Sequence, residues 1–290
     1  MENFKAVVVL GKFDGVHIAH TKLITTAVDI ASKRGARSLV YSMQKSDTPQ
    51  MTDKNQKINI IKSLGVDEVI FKELDEAFMN LSGEEFVNSV IKDELGAVCV
   101  VVGENFRFGK GRSAGASELK ELCALWGIDV VVMETVQLGD ETVSSTYVKT
   151  LLKKGEVSLA KEYLGRPFVI SGTVCPGKHL GRALGFPTAN IYPQTSTVVP
   201  KNGVYATYVI CDGVRYPSIT NVGVNPTVED GKNIKVETHI FAGTDDWYGK
   251  EITVEFCEFI RSEIQFENPQ ELAKQVEEDK EKAKKYHGIK

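Results

Sequence analysis

The strongest constraint on the fold is an alternation of apolar runs with amphipathic runs over residues 5–134. Five short apolar runs are typical of buried strands: KAVVVL, RSLVYSM, DEVIF, AVCVVVG and IDVVVMETV. Between them lie helix-like runs such as NQKINIIKSLG and GEEFVNSVIKDELG. Strands that alternate with helices predict an α/β fold, a parallel sheet with helices on both faces. Ligands of such sheets bind beyond the carboxyl ends of the strands.

The residue pattern of the chain changes near Arg166, after two short helix-like runs. The runs that follow are short, rich in β-branched residues and separated by Gly, Pro, Asn and Asp, which predicts a small antiparallel barrel or sandwich. A charged amphipathic helix, begun by Asn268 and Pro269, ends the pattern. We therefore predict two domains in the 290 residues: 1–153 with the parallel sheet, and 154–290 with an antiparallel β-barrel and a terminal helix.

Charge and cysteine content argue against several classes of protein. The formal net charge is -4 and the pI is near 5.8, whereas a dedicated nucleic-acid binder normally presents a basic face. The five cysteines are scattered and fit neither a zinc pattern nor a disulfide framework. No apolar run approaches the roughly 20 residues that span a bilayer, and no signal-peptide pattern begins the sequence. We expect a cytoplasmic protein without nucleic-acid or membrane partners, and no pattern sets its oligomeric state.

Two histidines, His17 and His20, stand one helical turn apart where the first strand-like run gives way to a helix-like run that Gly35 closes. At a helix start the two side chains share a face, and the free N–H groups of the first turn favour an anion. Imidazole donors at that place suit a triphosphate and a departing pyrophosphate. Two other interpretations stay open: a surface histidine pair beside a turn and, with less support because no further ligand is placed nearby, a zinc site.

The motif GKFDGVHIAH resembles the G-x-F-D-G-x-H-x-G-H signature of nucleotidyltransferases that transfer an adenylyl or cytidylyl group. Two later segments, VGENFRFGKGRSAG and VSSTYVKTLLKKGEVSLAKEYLGRPF, resemble the matching blocks of bacterial bifunctional riboflavin kinase/FMN adenylyltransferases, also called FAD synthetases. The resemblance implies an FMN adenylyltransferase-like domain over 1–153. It implies that five residues bind ATP, with the histidines in the catalytic role: His17, His20, Asn105, Ser145 and Thr146.

Three features depart from the family pattern. Ala19 stands where the signature has glycine, and Tyr147 stands where the S-S-T-R-I-R block has its first arginine. The segment VYSMQKSDTPQM, at the place of the usual T-F-x-P-H-P block, contains no histidine. These departures keep an alternative open, a monofunctional riboflavin kinase with a degenerate, non-catalytic adenylyltransferase domain.

The second half resembles the riboflavin kinase blocks of the same family, in the order GTVCPGKHLGRALGFPTANIYP, NGVYATYV, TNVGVNPTV, VETHIF and FIRSEIQF. The resemblance implies a riboflavin kinase domain in which Thr188 and Asn190 bind Mg²⁺ and the ATP phosphates. It makes Glu237 the base that takes the proton of the riboflavin 5′-hydroxyl. From the residues alone, FPTAN is also typical of a Pro turn before an edge strand, and Glu237 of a solvent-facing strand glutamate.

A glycine-rich loop opens the kinase block. Gly177, Gly181 and Gly185 allow the backbone to approach a phosphate, and Lys178 adds positive charge. We therefore predict that Gly177 and Lys178 bind ATP, although a basic hairpin connection has the same composition.

Together the blocks predict an enzyme of flavin cofactor biosynthesis. One domain converts riboflavin and ATP to FMN and ADP, and the other converts FMN and ATP to FAD and pyrophosphate, with Mg²⁺ as cofactor. An interpretation from another class is a flavin- or nucleotide-binding regulatory protein without either activity. The presence of Thr188, Asn190 and Glu237 counts against it.

Overall fold

The computed structural model describes residues 5–45, 48–176, 186–224, 234–241 and 247–289. The chain divides into two compact units, Met1–Ser145 and Thr146–Lys290. Among the described residues, no helix is both long enough and apolar enough to cross a membrane.

The first unit contains a five-stranded parallel sheet, which confirms the predicted α/β fold. Its strands are β1 (Ala6–Gly11), β2 (Arg37–Gln44), β3 (Glu68–Glu73), β4 (Ala97–Gly103) and β5 (Asp129–Met133). Its helices are α1 (Ile18–Arg34), α2 (Lys54–Ser63), α3 (Glu76–Met79), α4 (Gly83–Glu85, continued as a π-helix over Phe86–Glu94) and α5 (Ala116–Ala124), with a 3₁₀ turn at Lys110–Arg112. A short antiparallel pair follows, β6 (Gln137–Leu138) and β7 (Glu141–Thr142).

The strand order β3-β2-β1-β4-β5 places a topological switch point beside β1. The connection from β1 runs to β2 on one side, whereas β4 lies on the other side of β1. A crevice opens at the carboxyl ends of the strands where the order reverses, and this crevice is where α/β sheets bind ligands. The FDGVH loop after β1 and the GENF loop after β4 both begin there.

Alternate side chains of β1 enter two separate cores. Val7 and Val9 belong to the cluster that α1 covers, whereas Val8 and Leu10 belong to the cluster that the π-helical segment 86–94 covers. A strand that is buried on both faces must be apolar at every position, which explains the continuous run of valines.

The second unit contains a six-stranded antiparallel sheet with the order β8-β13-β10-β11-β12-β9. Its strands are β8 (Phe168–Thr173), β9 (Ala189–Ile191), β10 (Gly203–Cys211), β11 (Val214–Val224), β12 (Ile234–Ile240) and β13 (Glu251–Arg261). Beyond β8, Cys175 bridges to Asn190 of β9, and its N–H donates to Asn190 O at 2.8 Å. The two ends of the sheet thus meet, so the sheet curls as the predicted barrel requires.

Three helices accompany this sheet: α6 (Ser145–Lys154), α7 (Val157–Leu164) and α8 (Pro269–His287). The terminal helix begins as predicted, with Asn268 Oδ1 accepting from Glu271 N–H at 2.9 Å. A buried ion pair ties α8 to β13, since Asp279 is 2% exposed and lies 2.7 Å from the Arg261 guanidinium. The helix is therefore fixed to the barrel by a specific contact as well as by its apolar face.

Candidate active sites

The loop between β1 and α1 has an unusual backbone. Phe13 and Val16 have φ angles of +50° and +38°, a region that side-chain-bearing residues, above all β-branched ones, rarely adopt. Asp14 Oδ1 accepts from Met51 N–H at 2.7 Å, and Asp14 O accepts from Ser145 Oγ at 2.8 Å. Backbone strain persists only where the surroundings over-determine it, and it clusters at functional sites.

His17 and His20 lie together at the N-terminus of α1. His17 is the N-cap residue, and its Nδ1 accepts from His20 N–H at 3.3 Å. The two rings stack, with 3.6 Å between centroids and 14° between planes. Because Nδ1 of His17 accepts, its neutral ring carries the proton on Nε2. An imidazole donor therefore lies beside the free backbone N–H groups of the first helical turn.

The His20 ring is held neutral in this protein. Burial, followed by the charges of His17 and Lys57, lowers the pKa of His20 well below its usual value. His20 Nδ1 is buried and has no hydrogen-bond partner among the described residues. An anion that binds beside this ring will raise its pKa, because a nearby negative charge favours the imidazolium.

A cleft collects most of the predicted residues of the first unit. His17, His20, Asn105 and Ser145 line it, whereas Thr146 lies beyond the lining with an exposed side chain. Apolar side chains form much of the remaining wall: Ala19, Leu23, Met133, Val136 and Val143. A cleft with apolar walls and a helix N-terminus suits a nucleotide, whose base contacts the walls while its phosphates meet the N–H groups.

One wall of the cleft depends on a contact that the sequence did not predict. β5 ends at Met133, short of the predicted end at Val136. Beyond it, Glu104 Oε1 accepts from Thr135 N–H at 2.9 Å and from the Thr135 hydroxyl. The carboxylate gives a partner to an N–H group that the ended strand leaves free. The signal available in the sequence was the glutamate of GENF, directly beside Asn105.

The structure shows where each of the three departures from the family pattern lies. Ala19 lines the cleft, so its methyl group borders the space proposed for the nucleotide. Tyr147 packs against Tyr163 of α7, with 4.9 Å between ring centroids. The segment without histidine contacts the β1–α1 loop through Met51 N–H and the carboxylate of Asp14.

In the second unit, Glu237 of β12 and Asn190 of β9 lie opposite each other in the antiparallel register. Thr188 Oγ1 donates to Glu237 Oε1 at 2.7 Å, and Lys235 Nζ donates to Glu237 Oε2 at 2.7 Å. The Glu237 side chain is 29% exposed, so it is not a freely solvated strand glutamate. Each carboxylate oxygen keeps a further lone pair, so Glu237 is still able to accept a proton.

A histidine positions the segment that carries Thr188. His239 Nδ1 lies 2.9 Å from Pro187 O, within hydrogen-bond distance, and burial lowers the pKa of His239. The neutral ring fixes the chain one residue before Thr188. Sequence reasoning did not single out this contact, because nothing in the spacing of residues 187 and 239 indicates that they meet.

The oxygen atoms of this cluster fit a hard divalent cation. Asn190 is 2% exposed, and its Oδ1 has no hydrogen-bond partner within the described ranges. Thr188 gives its proton to Glu237 and so keeps its lone pairs for another partner. Mg²⁺ prefers oxygen ligands and takes most of them from water and phosphate. No cluster of three or more His, Cys, Asp or Glu side chains suited to a metal occurs in the described part of the chain.

Two predicted ATP-binding residues of this unit, Gly177 and Lys178, lie outside the described residues.

Comparison with known proteins separates the same two halves of the chain. A family model described as FAD synthetase matches residues 1–147, and a model described as riboflavin kinase matches residues 164–287. A bifunctional riboflavin kinase/FMN adenylyltransferase from Bacillus subtilis is 35% identical over 298 residues, which cover 98% of this chain and 93% of the relative. The protein of the same name from Escherichia coli is 32% identical over 294 residues, covering 98% and 93%.

A solved structure shares the fold across both units. That structure carries the name macrolide-efflux protein and comes from Streptococcus pneumoniae. Its TM-score is 0.88 at 28% identity, and the match covers 96% of this chain and 93% of that one.

Proposed function

The chain belongs to the bifunctional riboflavin kinase/FMN adenylyltransferase family, and we propose that it makes FMN from riboflavin and FAD from FMN, with ATP as the donor in both reactions. One observation carries most of the support: each unit has its own cluster of motif residues. The first has the stacked histidines at a helix N-terminus, and the second has the Thr188–Glu237 pair opposite Asn190. Both reactions thus have a separate place in the molecule.

In the kinase reaction Glu237 takes the proton of the riboflavin 5′-hydroxyl. The 5′-oxygen then forms a bond to the γ-phosphorus of ATP, and the bond to ADP breaks. An alcohol is a poor nucleophile at neutral pH, and a positioned base contributes about 10²–10⁴-fold. The Thr188 hydroxyl and the Lys235 ammonium hold the carboxylate in one orientation.

Thr188 and Asn190 would hold Mg²⁺ at this site, through Oγ1 and the unpartnered Oδ1. When bound, the ion neutralises charge on the ATP phosphates. Gly177 and Lys178 are proposed to complete the phosphate site, by close backbone approach and by positive charge respectively.

In the adenylyl reaction a phosphate oxygen of FMN forms a bond to the α-phosphorus of ATP, and pyrophosphate leaves. This chemistry needs positioned donors more than covalent catalysis. His17 and His20 are proposed to hold the phosphates and to stabilise the departing pyrophosphate. Asn105 and Ser145 face the same cleft and are proposed to bind the nucleotide, as is the neighbouring Thr146.

We propose the domain limits 1–153 and 154–290 for the two activities. A fragment that begins at Lys154 is expected to fold and to phosphorylate riboflavin. A fragment that begins at Thr146 is the matched control, because it keeps α6, whose Leu152 O accepts from Lys201 N–H at 2.9 Å. An active fragment from Thr146 beside an inactive fragment from Lys154 would contradict the limit at 154, and inactivity of both beside an active full chain would contradict the independence of the second domain.

The cytoplasm is the proposed location. All five cysteines are free thiols, and four of them are buried, Cys99, Cys123, Cys211 and Cys257. Unpaired thiols of this kind are typical of proteins from a reducing compartment.

The monofunctional alternative is not favoured. The first unit keeps the strained loop, the histidine pair and a cleft lined by four of the predicted residues. Strained backbone conformations lower stability and cluster at functional sites, so their presence in this loop favours an active domain.

Isotope-labelled ATP tests the two reactions separately. With riboflavin as substrate, ATP labelled in the γ-phosphate is expected to place its label in FMN. With FMN as substrate, ATP labelled in the α-phosphate is expected to place its label in FAD. Label in FMN alone would support the monofunctional alternative, and label in neither product would support a binding protein.

A further inference from the structure

Lys57 is a buried charged residue, and its burial is expected to lower the stability of the fold. It lies in the first turns of α2 and is 1% exposed. Removing an ammonium group from water is costly, and the N-terminal end of a helix disfavours a cation. A lysine kept in such a place points to a role for its charge.

The contacts of Lys57 place its ammonium at the carboxyl edge of the sheet. Nζ donates to Gln44 Oε1 at 2.8 Å and to Lys12 O at 3.2 Å. It also lies 5.8 Å from the centroid of the Phe71 ring. Gln44 ends β2 and Lys12 directly follows β1, so the charge lies where the strained β1–α1 loop begins.

Two effects reach the histidine pair from that position. The first is mechanical, because Lys12 O accepts from Lys57 and from Ser42 Oγ at 3.1 Å, and both bonds hold the loop directly before Phe13. The second is electrostatic. Lys57 and His17 are the charged or titratable neighbours that act on His20, and Lys57 disfavours a second positive charge there until an anion arrives.

We propose that Lys57 is a positioning residue for adenylyl transfer, whose buried ammonium fixes the β1–α1 loop and supplies a positive charge that acts on the histidine pair. This inference rests on the proposed adenylyltransferase function of the first unit. A fixed charge with little water around it acts over a longer distance than an exposed one, so it strengthens the attraction of the cleft for a triphosphate.

The first test replaces Lys57 by methionine, which keeps the length of the side chain and removes the charge. FAD formation from FMN and ATP is expected to fall about 10²-fold, the loss that a small misplacement of catalytic groups causes. Lys54→Met is the matched control, since Lys54 is an exposed lysine of the same helix that also lies over Phe71. Riboflavin phosphorylation, measured in the same samples, is expected to be unchanged in both variants.

Gln44→Glu tests the charge of Lys57 while its side chain stays in place. This second variant still decides the question if Lys57→Met does not fold. The substitution retains the acceptor of the Lys57 hydrogen bond and places a carboxylate on it, which neutralises the ammonium charge without removing the side chain of Lys57. FAD formation is expected to fall here too. The pKa of His20, followed by NMR of its ring, is expected to move upward in Lys57→Met and to stay in place in Lys54→Met, because only the first substitution removes a charge that acts on His20.

Three results decide the matter. If a folded Lys57→Met protein forms FAD like Lys54→Met, the proposal is overturned. If Gln44→Glu leaves both FAD formation and the His20 titration unchanged, the electrostatic part is wrong whatever the methionine variant does. If the unsubstituted protein forms no FAD from FMN, the proposed function has failed, and the His20 titration alone still shows whether Lys57 acts on the histidine pair.

Discussion

The two candidate sites differ in the chemical groups that they present: the first offers hydrogen-bond donors, and the second offers a carboxylate. The site in the first unit is built from a strained loop, a helix N-terminus and two stacked imidazoles, and the helix N-terminus and the imidazoles offer donors to an anion. The site in the second unit is built on a strand ladder, with a carboxylate held between a hydroxyl and an ammonium. The first suits a reaction in which charge must be stabilised as pyrophosphate leaves. The second suits a reaction in which an alcohol must lose a proton.

This difference between the two sites indicates how strongly each reaction should respond to the loss of one side chain. Removing a base stops the activation of the alcohol, whereas removing a donor weakens the hold on phosphates that several other groups also contact. Substitutions in one unit should therefore leave the other reaction unchanged.

The largest effect is expected for Glu237→Gln, which keeps the shape of the side chain and removes the base. Riboflavin phosphorylation should fall by about 10²–10⁴-fold, while FAD formation from supplied FMN continues. Glu278→Gln, at an exposed position of α8, is the control. Parental kinase activity in the Glu237 variant would show that another group takes the proton.

The double substitution of His17 and His20 by alanine should lower FAD formation by about 10²–10³-fold, the range seen when donors to a developing negative charge are lost. FMN formation should continue, since the kinase cluster lies in the other unit. Both rates come from one reaction mixture, so the kinase serves as the internal control. Equal losses in both reactions would point to unfolding or to a shared site.

Thr188→Val removes the hydroxyl that donates to Glu237 and keeps the branched shape. Loss of a hydrogen bond to a charged group costs about 1.5–3 kcal/mol, so kinase turnover should fall roughly 10- to 100-fold and need more Mg²⁺ for half-saturation. Thr188→Ser, which keeps the hydroxyl, is the control. An unchanged Mg²⁺ dependence in the valine variant would remove Thr188 from the metal site.

Binding of pyrophosphate to the first unit should take up protons. His20 is neutral in the free protein because its pKa is lowered, and the bound anion raises that pKa, so affinity should increase as the pH falls through the raised pKa of the bound state. Calorimetry in buffers of different ionisation enthalpy counts the protons. Binding without proton uptake would mean that His20 keeps its charge state.

The smallest effect is expected for Ala19→Gly. Ala19 lines the cleft, and removal of its methyl group should raise the ratio of FAD to FMN a few-fold. The gain is limited because glycine in a helical turn costs about 0.5–1 kcal/mol relative to alanine. A lower ratio would show that the methyl group packs against the nucleotide instead of crowding it. Ala19→Gly combined with Tyr147→Arg tests whether the two departures act together.

The sequence predicts those parts of the structure that follow from local patterns. The continuous apolar run of β1 predicts a strand buried on both faces, and Gly35, with φ of +58°, ends α1 as its residue type predicts. His17 and His20 share a face because their spacing is helical and local.

The parts that the sequence does not predict depend on residues far apart in the chain. Glu104 accepts from Thr135 N–H beyond the end of β5, and His239 Nδ1 lies against the carbonyl of Pro187 directly before Thr188. The burial of Lys57 likewise carries no periodic signal, because its two acceptors, Lys12 O and Gln44 Oε1, lie far from it in the chain. Contacts of this kind are set by tertiary packing and leave no local pattern.

The most direct test is to incubate the purified chain with riboflavin, ATP and Mg²⁺ and to separate the flavins by chromatography. We expect FMN and FAD from the unsubstituted protein, and FMN without FAD when His17 and His20 are alanine. FAD formed at the parental rate by that double variant would contradict the assignment of the first site, and a chain that forms FMN but never FAD would contradict the proposal that both units are active.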